Sequence, residues 1–272
     1  MKILALANQK GGVGKSAITT QFAHYLRSLG RTVLVLDLDH QANTSAALRL
    51  NPGVAIAGNT ASSVFEAEDL PTIPAAPFVL VAGDDRLSAL EREPQAHNLY
   101  ANRFRSALKA WDRFDVCIID TNPNPDIRYA IALICATHVL APVQLNQEAI
   151  DGISALLGHT RYGVRRIQAS LNPGLKFLGI LPNLVEPTPF QRGNLQALAK
   201  SYGSLLLSQR TAAGVSFGYI QKRTAIAEAQ AAGLFVAEMS KTSARDAWRD
   251  LRPVFEMIAP GMGPALAQKV PA

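Results

Sequence analysis

The sequence has few cysteines: Cys117 and Cys135 are the only two among its 272 residues. Both lie in apolar runs, and neither belongs to a Cys-x-x-Cys pair or has another cysteine nearby. A disulfide framework, a zinc site and a cysteine-held iron–sulfur cluster are therefore poor explanations of this chain. We expect both thiols to be reduced residues of the core.

Apolar runs of membrane-spanning length are also missing, and the first strand begins at residue 2, which leaves no room for a signal peptide. Residues 259–272 hold three prolines, two glycines and one lysine, a composition unsuited to an amphipathic membrane helix. We expect a cytoplasmic protein with one domain over residues 1–258 and a flexible tail over residues 259–272.

Acidic residues are fewer than basic ones, 21 against 27, and the net charge is +6. A basic excess suits a polyanionic partner such as nucleic acid. Arg245, Arg249 and Arg252 are spaced four and three residues apart, which places them on one helix face. With Lys222 and Arg223 they are our candidate DNA contacts, and a solvated helix face is the alternative interpretation.

Strand-like and helical segments alternate along the chain, which predicts an α/β fold with a mostly parallel, twisted sheet flanked by helices. The predicted strands are Lys2–Ala7, Thr32–Leu38, Phe78–Ala82, Val116–Asp120, His138–Val143 and Phe177–Leu181. The predicted helices are Lys15–Leu29, Ser62–Glu68, Asn98–Trp111, Glu148–Val164, Gln191–Tyr202, Thr224–Ala232 and Ala244–Ile258. Pro253 is expected to kink or interrupt the last of these helices.

Residues 8–16 read Asn-Gln-Lys-Gly-Gly-Val-Gly-Lys-Ser and follow the first strand directly. A glycine-rich turn between a strand and a helix lets successive N–H groups point at one phosphate, next to the positive end of the helix. Lys15 would then reach the β- and γ-phosphates of a nucleotide, and the hydroxyl of Ser16 would ligate Mg²⁺.

This loop departs from the general phosphate-loop pattern, since Gln9 replaces the first glycine and a second lysine, Lys10, lies inside the loop. In this form it resembles the deviant Walker A motif of the ParA/MinD family of P-loop ATPases. The resemblance implies that Lys10 crosses a dimer interface to the nucleotide of the partner subunit. The implied nucleotide-binding residues are Lys10, Gly11, Gly12, Val13, Gly14, Lys15, Ser16 and Ala17.

Two further segments carry acids at strand ends. The apolar run Val116–Asp120 has the form of a Walker B strand and places Asp120 at the carboxyl edge of the sheet, near the phosphate loop. Residues 37–43 resemble the family's switch-loop signature, and the resemblance assigns Asp39 to the attacking water. His40 and Asn122 stand where the family has proline. The candidate metal ligands are Ser16, Asp37, Asp39 and Asp120.

Asn183 follows the strand Phe177–Leu181 and resembles an adenine-contacting residue of the family, although asparagine is also an ordinary turn residue. Taken together, the resemblance implies an ATPase that binds ATP and Mg²⁺, with Lys10, Lys15 and Asp39 as catalytic residues.

The family's members form ATP-sandwich homodimers, bind duplex DNA non-specifically on the nucleoid, and are stimulated by a ParB-like or other adaptor protein. They partition or position plasmid, chromosome or protein cargo. A MinD-like membrane-cycling ATPase and a metabolic P-loop enzyme are the alternatives.

Overall fold

A computed structural model of the chain describes residues 1–212 and 214–270. Among these residues, seven strands form one sheet in the order β3-β4-β2-β5-β1-β6-β7, and every pair of neighbours is parallel. The strands are β1 Lys2–Leu6, β2 Val33–Asp37, β3 Ala55–Ile56, β4 Phe78–Val81, β5 Val116–Asp120, β6 His138–Val143 and β7 Lys176–Pro182. The prediction of an α/β fold with a parallel sheet is confirmed.

Helices cover both faces of this sheet, which is why its central strands are apolar along their whole length. The helices are α1 Lys15–Ser28, α2 Asn43–Leu48, α3 Ser63–Glu66, α4 His97–Ala110, α5 Ile127–Cys135, α6 Gln147–Gly158, α7 Val164–Ser170, α8 Pro189–Tyr202, α9 Thr224–Ala232 and α10 Thr242–Met262. One core layer contains α3, α4 and α5, and the other contains α1, α9 and α10.

The parallel arrangement brings the carboxyl ends of the central strands to one edge. Asp120 at the end of β5 is the register partner of Leu6 in β1 and of Asp37 in β2. The phosphate loop after β1 and the switch loop after β2 therefore start at the same edge as the Walker B carboxylate. This edge is the place where ligands bind in sheets of this type.

The predicted helix Glu148–Val164 is too long, because α6 ends at Gly158 and a separate, unpredicted helix, α7, begins at Val164. The chain turns between them, where the Nδ1 atom of His159 lies 3.2 Å from the amide nitrogen of Arg161 and 3.1 Å from that of Tyr162. At Gly163 a Cβ atom would lie 2.5 Å from the backbone nitrogen of His159, so the turn requires the absence of a side chain. Apolar periodicity alone does not reveal such a turn.

The end of the domain also differs from the prediction. Helix α10 runs to Met262 through both Pro253 and Pro260, so Pro253 does not interrupt it. Leu266 is buried, and the amide of Val270 donates to the carbonyl of Leu29. The described part of the predicted tail therefore packs on the domain, which the proline and glycine content of the segment did not indicate.

Helices α2 and α7 were not predicted, and neither were the two-residue strand β3 and an antiparallel hairpin of β8 Ser208–Thr211 and β9 Gly214–Phe217. All of the hairpin residues named here are exposed. In the described part of the chain, no helix combines the length and the apolar character that crossing a lipid bilayer requires.

Candidate nucleotide-binding site

The glycine-rich loop connects β1 to α1 and has the backbone that a phosphate cradle needs. Gly12 and Gly14 have φ angles of +73° and +84°, a region that side chains other than that of glycine rarely adopt. Gly14 is also the N-cap residue of α1, so the first free N–H groups of the helix open into the loop. An anion in the loop would meet these donors together with the positive end of the helix.

Hydrogen bonds to β6 and to the residue just after it hold this loop in place. The side-chain amide of Asn8 donates to the carbonyl of Pro142 in β6 at 2.6 Å, and its oxygen accepts from the amide of Lys10 at 2.9 Å. Gln144, just after β6, donates to the carbonyl of Gly12 at 2.9 Å. These hydrogen bonds fix the backbone of the loop.

Asn183 holds the far side of the loop. Its side chain is 3% exposed, and its amide nitrogen donates to the carbonyl of Val13 at 2.7 Å. A Cβ atom at Gly14 would lie 2.2 Å from this nitrogen. The structure therefore gives Asn183 a role in supporting the loop, whereas its contact with adenine stays a prediction.

Lys15 is a buried lysine, 6% exposed, whose Nζ atom lies 3.3 Å from the carbonyl oxygens of Asn8 and Lys10. Burial lowers the pKa of this amine, and the charges of Asp120 and Asp39 oppose the shift. A cation held by loop carbonyls and facing two carboxylates is ready to meet the phosphate groups of a nucleotide.

Asp37 and Asp120 lie side by side beneath the loop, and both are buried. Asp37 accepts from the amide and hydroxyl of Ser45 at 2.8 and 2.6 Å, and Asp120 accepts from the hydroxyl of Thr44 at 2.6 Å. Burial, together with the charge of Asp120, raises the pKa of Asp37 to about 7. Burial also raises the pKa of Asp120, and hydrogen bonds from Thr44 and Ser16 oppose that shift.

One oxygen of this carboxylate pair fits a Mg²⁺ ion or its water shell. Oδ1 of Asp120 is buried and has no hydrogen-bond partner among the described residues. Within those residues, no group of three or more His, Cys, Asp or Glu side chains could hold a metal alone. Mg²⁺ usually keeps several waters and binds one or two carboxylates together with substrate phosphates, and the unpartnered oxygen of Asp120 fits that pattern. Ser16 and Asp120 are the residues that would hold it.

Asp39 lies at the start of the switch loop and is 7% exposed. Its amide donates to Asp37 at 3.2 Å, and its carboxylate accepts from the amide of Gln41 at 3.0 Å. Gly83, just after β4, supports this conformation from below, because a Cβ atom there would lie 2.7 Å from the carbonyl oxygen of Asp39. The loop therefore presents one carboxylate to the same space as the amine of Lys15.

An apolar cavity of about 290 Å³ opens beside the loop. Ala17, Gln21 and Asn183 contribute to its wall. The volume and the apolar lining of the cavity suit a planar base or a similar group. Lys222 and Arg223 also line it. The sequence analysis had assigned these two residues to DNA binding.

Both of these basic residues are engaged in ion pairs at the cavity. Lys222 pairs with Glu186 at 2.6 Å, and Arg223 pairs with Asp250 of α10 at 2.5 Å. Sequence proximity had grouped them with the arginines of α10. They lie next to the phosphate loop, and their contact with DNA stays a prediction.

Arg245, Arg249 and Arg252 are exposed on α10, as their spacing predicts. Arg249 pairs with Asp246 at 2.9 Å, and Arg252 pairs with Glu256 at 2.7 Å. Acids on the same helix therefore offset part of the positive charge of this face.

The side chain of Lys10 extends towards α6. Its Cε atom would lie 3.3 Å from a Cβ atom placed on Gly152. Whether this lysine reaches a second subunit stays a prediction.

Several residues of the site escaped the sequence analysis. Thr44, Ser45 and Gly83 were not assigned roles. Gly83 follows β4 by two residues, so a glycine near a strand end was the available signal there, whereas Thr44 and Ser45 lie in α2, which was itself not predicted. Asn8 and Gln144 carried no signal, because their partners lie more than a hundred positions away in the sequence.

Comparisons with known proteins agree with this geometry. Residues 1–177 match the family model of the AAA domain designated AAA_31. The chain is 32% identical to the protein IncC of Escherichia coli over 276 residues, which is 95% of this chain and 69% of that protein. It is 29% identical to the chromosome-partitioning ATPase Soj of Thermus thermophilus over 245 residues, 88% of this chain and 89% of Soj.

Solved structures share the fold at lower identity. McdA of Cyanothece superposes with a TM-score of 0.75 at 20% identity, over 97% of this chain and 100% of McdA. Cobyrinic acid a,c-diamide synthase of Mycobacterium smegmatis with bound ADP and magnesium has a TM-score of 0.72 at 24% identity, over 100% of this chain and 98% of the synthase. The family match and the sequence relatives together show that this chain belongs to the ParA/MinD-type AAA domain family.

Proposed function

We propose that this protein is a partition or positioning ATPase that dimerises around ATP, binds duplex DNA without sequence preference and is stimulated by an adaptor protein. The observation that carries the proposal is the meeting of Lys15 with Asp39 and Asp120 at one sheet edge. Sequence relatives named as a chromosome-partitioning ATPase and a chromosome partitioning protein support the choice among P-loop activities.

In this proposal the phosphate loop binds the triphosphate of ATP. The N–H groups of residues 11–16 and the amine of Lys15 surround the phosphates, and the hydroxyl of Ser16 and the carboxylate of Asp120 hold Mg²⁺. The metal, when bound, neutralises charge on the β- and γ-phosphate oxygens. Asp37 would complete this shell; its Oδ2 already accepts from Ser45 and its Oδ1 from the amide of Asp39.

Asp39 orients the water that attacks the γ-phosphate. Its carboxylate is fixed by the amide of Gln41 and lies within the field of Lys15, so it can accept a hydrogen bond from a water in line with the phosphate. Phosphoryl transfer depends mainly on positioning and on charge stabilisation, which this arrangement supplies. Asn183 and Ala17 bound the nucleotide on the side of the apolar cavity.

Lys10 acts on the nucleotide of the second subunit. A lysine in each loop that neutralises phosphate charge across an interface makes dimerisation depend on ATP, so nucleotide state controls the assembly. Alone, such a site hydrolyses slowly, and the adaptor accelerates it. The rate of hydrolysis then sets how long the dimer stays bound to the nucleoid in the cytoplasm.

DNA contact is proposed for the exposed arginines of α10, Arg245, Arg249 and Arg252. Phosphate contacts of this kind give affinity without reading bases. Lys222 and Arg223, which line the cavity in ion pairs, join the DNA surface only if those pairs open.

The deciding experiment measures binding to random-sequence duplex DNA with ATP, with ADP and without nucleotide, over a series of salt concentrations. Tight, salt-sensitive binding with ATP alone is the expected result. The same assay with Lys10→Ala tests the dimer, because this variant should lose ATP-dependent dimerisation and DNA binding while it still binds ATP. Exposed Lys109→Ala in α4 is the matched control.

Two results would replace the proposal. Binding to anionic lipid vesicles with ATP, without binding to DNA, would indicate a membrane-cycling ATPase. Turnover of a small substrate by a monomer that tolerates Lys10→Ala would indicate a metabolic P-loop enzyme. The cobyrinic acid a,c-diamide synthase, an enzyme of that kind, shares the fold of this chain.

A further inference from the structure

Arg128 is a buried arginine in the first turn of α5, 3% exposed, and it belongs to none of the sites described above. Its guanidinium is held by Asp126, with Nη2 and Nε at 2.5 and 3.1 Å from Oδ2. Asp126 also caps α5 by accepting from the amide of Arg128, and it accepts from the side-chain amide of Asn122 at 2.8 Å. One side of the guanidinium is thereby fixed to α5 and to the segment after the Walker B strand.

The other side of the guanidinium faces the switch loop. Its Nη1 atom lies 3.4 Å from Nδ1 of His40 and 3.5 Å from the carbonyl oxygen of Leu38. The same Nδ1 atom lies 3.4 Å from the carboxylate of Asp39, and Nε2 of His40 lies 3.1 Å from the side-chain amide nitrogen of Gln41. The Nδ1 atom of His40 therefore contacts both groups. Where it accepts from Nη1 of Arg128 it cannot also donate to Asp39, so Arg128 holds the ring and the ring packs against the carboxylate.

We propose that Arg128 is a positioning residue for Asp39 and acts through the ring of His40. The inference rests on the proposed function, in which Asp39 orients the attacking water. The guanidinium of Arg128 is always charged and is fixed by its ion pair with Asp126. It can therefore restrict the switch loop, which follows a strand end and would otherwise move more freely. Burying the Arg128–Asp126 pair costs desolvation energy, so the pair is weak as a source of stability alone.

The chain's own departures from the family pattern support this assignment. His40 and Asn122 both stand where proline is usual. Asn122 contacts Asp126, Asp126 pairs with Arg128, and Arg128 contacts His40. Proline would restrict the backbone at these positions by itself. Here the contacts of Arg128 fix the segment that two prolines would otherwise restrict.

The test uses Arg128→Lys and His40→Ala, alone and combined, in the full chain. Arg128→Lys keeps the buried charge next to Asp126 but loses the planar fork that reaches His40. Arg128→Met would leave Asp126 buried without its cation and could fail to fold. Arg103→Lys is the matched control, because Arg103 is a partly buried arginine that donates to the carbonyls of Phe65 and Glu66.

The first readout is amide hydrogen exchange over residues 38–44 without nucleotide. The amides of Leu38, Gln41 and Ala42 are hydrogen-bonded there and report on the loop. Each single variant should speed their exchange about tenfold, and the double variant no further, since both act on one contact. Unchanged exchange in Arg128→Lys, exchange equal to that of Arg103→Lys, or additive effects would overturn the proposal.

The second readout is ATP hydrolysis. Each variant should lower kcat about tenfold and leave the Kd for ATP within about twofold, because positioning of the water is lost and nucleotide binding is not. A raised KM at unchanged kcat contradicts the positioning role. If the wild-type protein hydrolyses no ATP, the proposed function fails, while the exchange measurement still decides whether Arg128 holds the loop.

Discussion

Asp37 and Asp120 are register partners at the carboxyl ends of β2 and β5, and both carboxylates are buried within the same layer of the site. Two like charges in a low-dielectric environment repel each other, and burial disfavours the charged form of each. The pair therefore carries an unfavourable interaction that a cation bound at the proposed site would relieve.

The first prediction concerns the pH dependence of stability. The pKa of Asp37 is about 7 in the folded protein and near 3.8 in the unfolded chain. The folded state therefore holds a proton that the unfolded state releases, so Asp37 makes stability fall as pH rises from about 4 to about 7, by at most about 4 kcal/mol. Asp37→Asn should lack this fall.

Urea unfolding of the nucleotide-free protein between pH 4 and pH 8 measures this difference. The control is Asp69→Asn, at an exposed position. Parallel stability curves for wild type and Asp37→Asn would show that Asp37 is charged throughout. Addition of ATP and Mg²⁺ should stabilise the wild type more at pH 8 than at pH 5, because cation binding favours the charged carboxylates.

The second prediction compares three glycines of the phosphate loop. Gly14→Ala should be the most damaging, since it combines a φ of +84° with a clash at 2.2 Å against Asn183. Gly12→Ala has open space but a φ of +73°, so its expected cost is the backbone strain alone, about 1–2 kcal/mol. Gly11→Ala has open space and no such strain.

Thermal unfolding without nucleotide should therefore rank the variants in the order Gly11→Ala, Gly12→Ala and Gly14→Ala, from mild to severe. Asn183→Ala in the Gly14→Ala background should recover part of the loss by removing the clash. Equal losses for Gly11→Ala and Gly14→Ala would show that Asn183 does not occupy this position.

Much of the fold could be predicted because buried parallel strands need continuous apolar runs, and β5 and β6 were predicted at their observed bounds. The short elements could not. Helix α2 starts with polar residues after Ala42, a residue with φ +51°, and the β8–β9 hairpin has no buried face to produce a pattern. Local sequence carries little signal where neither periodicity nor burial operates.

The site shows the same division between local and distant signals. The phosphate loop, Asp39 and Asp120 are recognisable because their chemistry depends on local spacing after a strand. The supports of the loop are not, since Asn183 and Val13 lie 170 positions apart in the sequence. Lys222 and Arg223 were grouped by charge and proximity, whereas their partners Glu186 and Asp250 lie 36 and 27 positions away.

The third prediction concerns His24, which is 8% exposed and packs between Phe78 and Phe235. Burial lowers its pKa from 6.5 to about 4. The unfolded chain therefore takes up a proton that the folded state excludes, and His24 makes stability fall as pH drops from about 6.5 to about 4. The loss is up to about 3 kcal/mol.

His24→Phe should keep the ring packing and remove this acid sensitivity. The difference in unfolding free energy between the variant and the wild type should grow as pH falls to 4. His97→Phe, at the first position of α4, is the control and should not show this growth. A constant difference across this range would place the pKa of folded His24 near its ordinary value.

The fourth prediction separates the DNA surface from the cavity. Arg249→Ala and Arg252→Ala should each weaken ATP-dependent DNA binding uniformly across sequences and reduce the slope of log K against log salt by about 0.9. Arg223→Ala should instead weaken nucleotide binding, because Arg223 lines the cavity and pairs with Asp250.

The acids of α10 provide variants of opposite sign for the same surface. Asp246 and Glu256 pair with Arg249 and Arg252, so DNA phosphates must compete with them. Asp246→Asn and Glu256→Gln should therefore strengthen DNA binding and steepen its salt dependence, while Lys109→Ala on the opposite face of the sheet should change neither. If the acid variants and the arginine variants leave DNA affinity equally unchanged, α10 is a solvated helix face and the DNA surface lies elsewhere on the dimer.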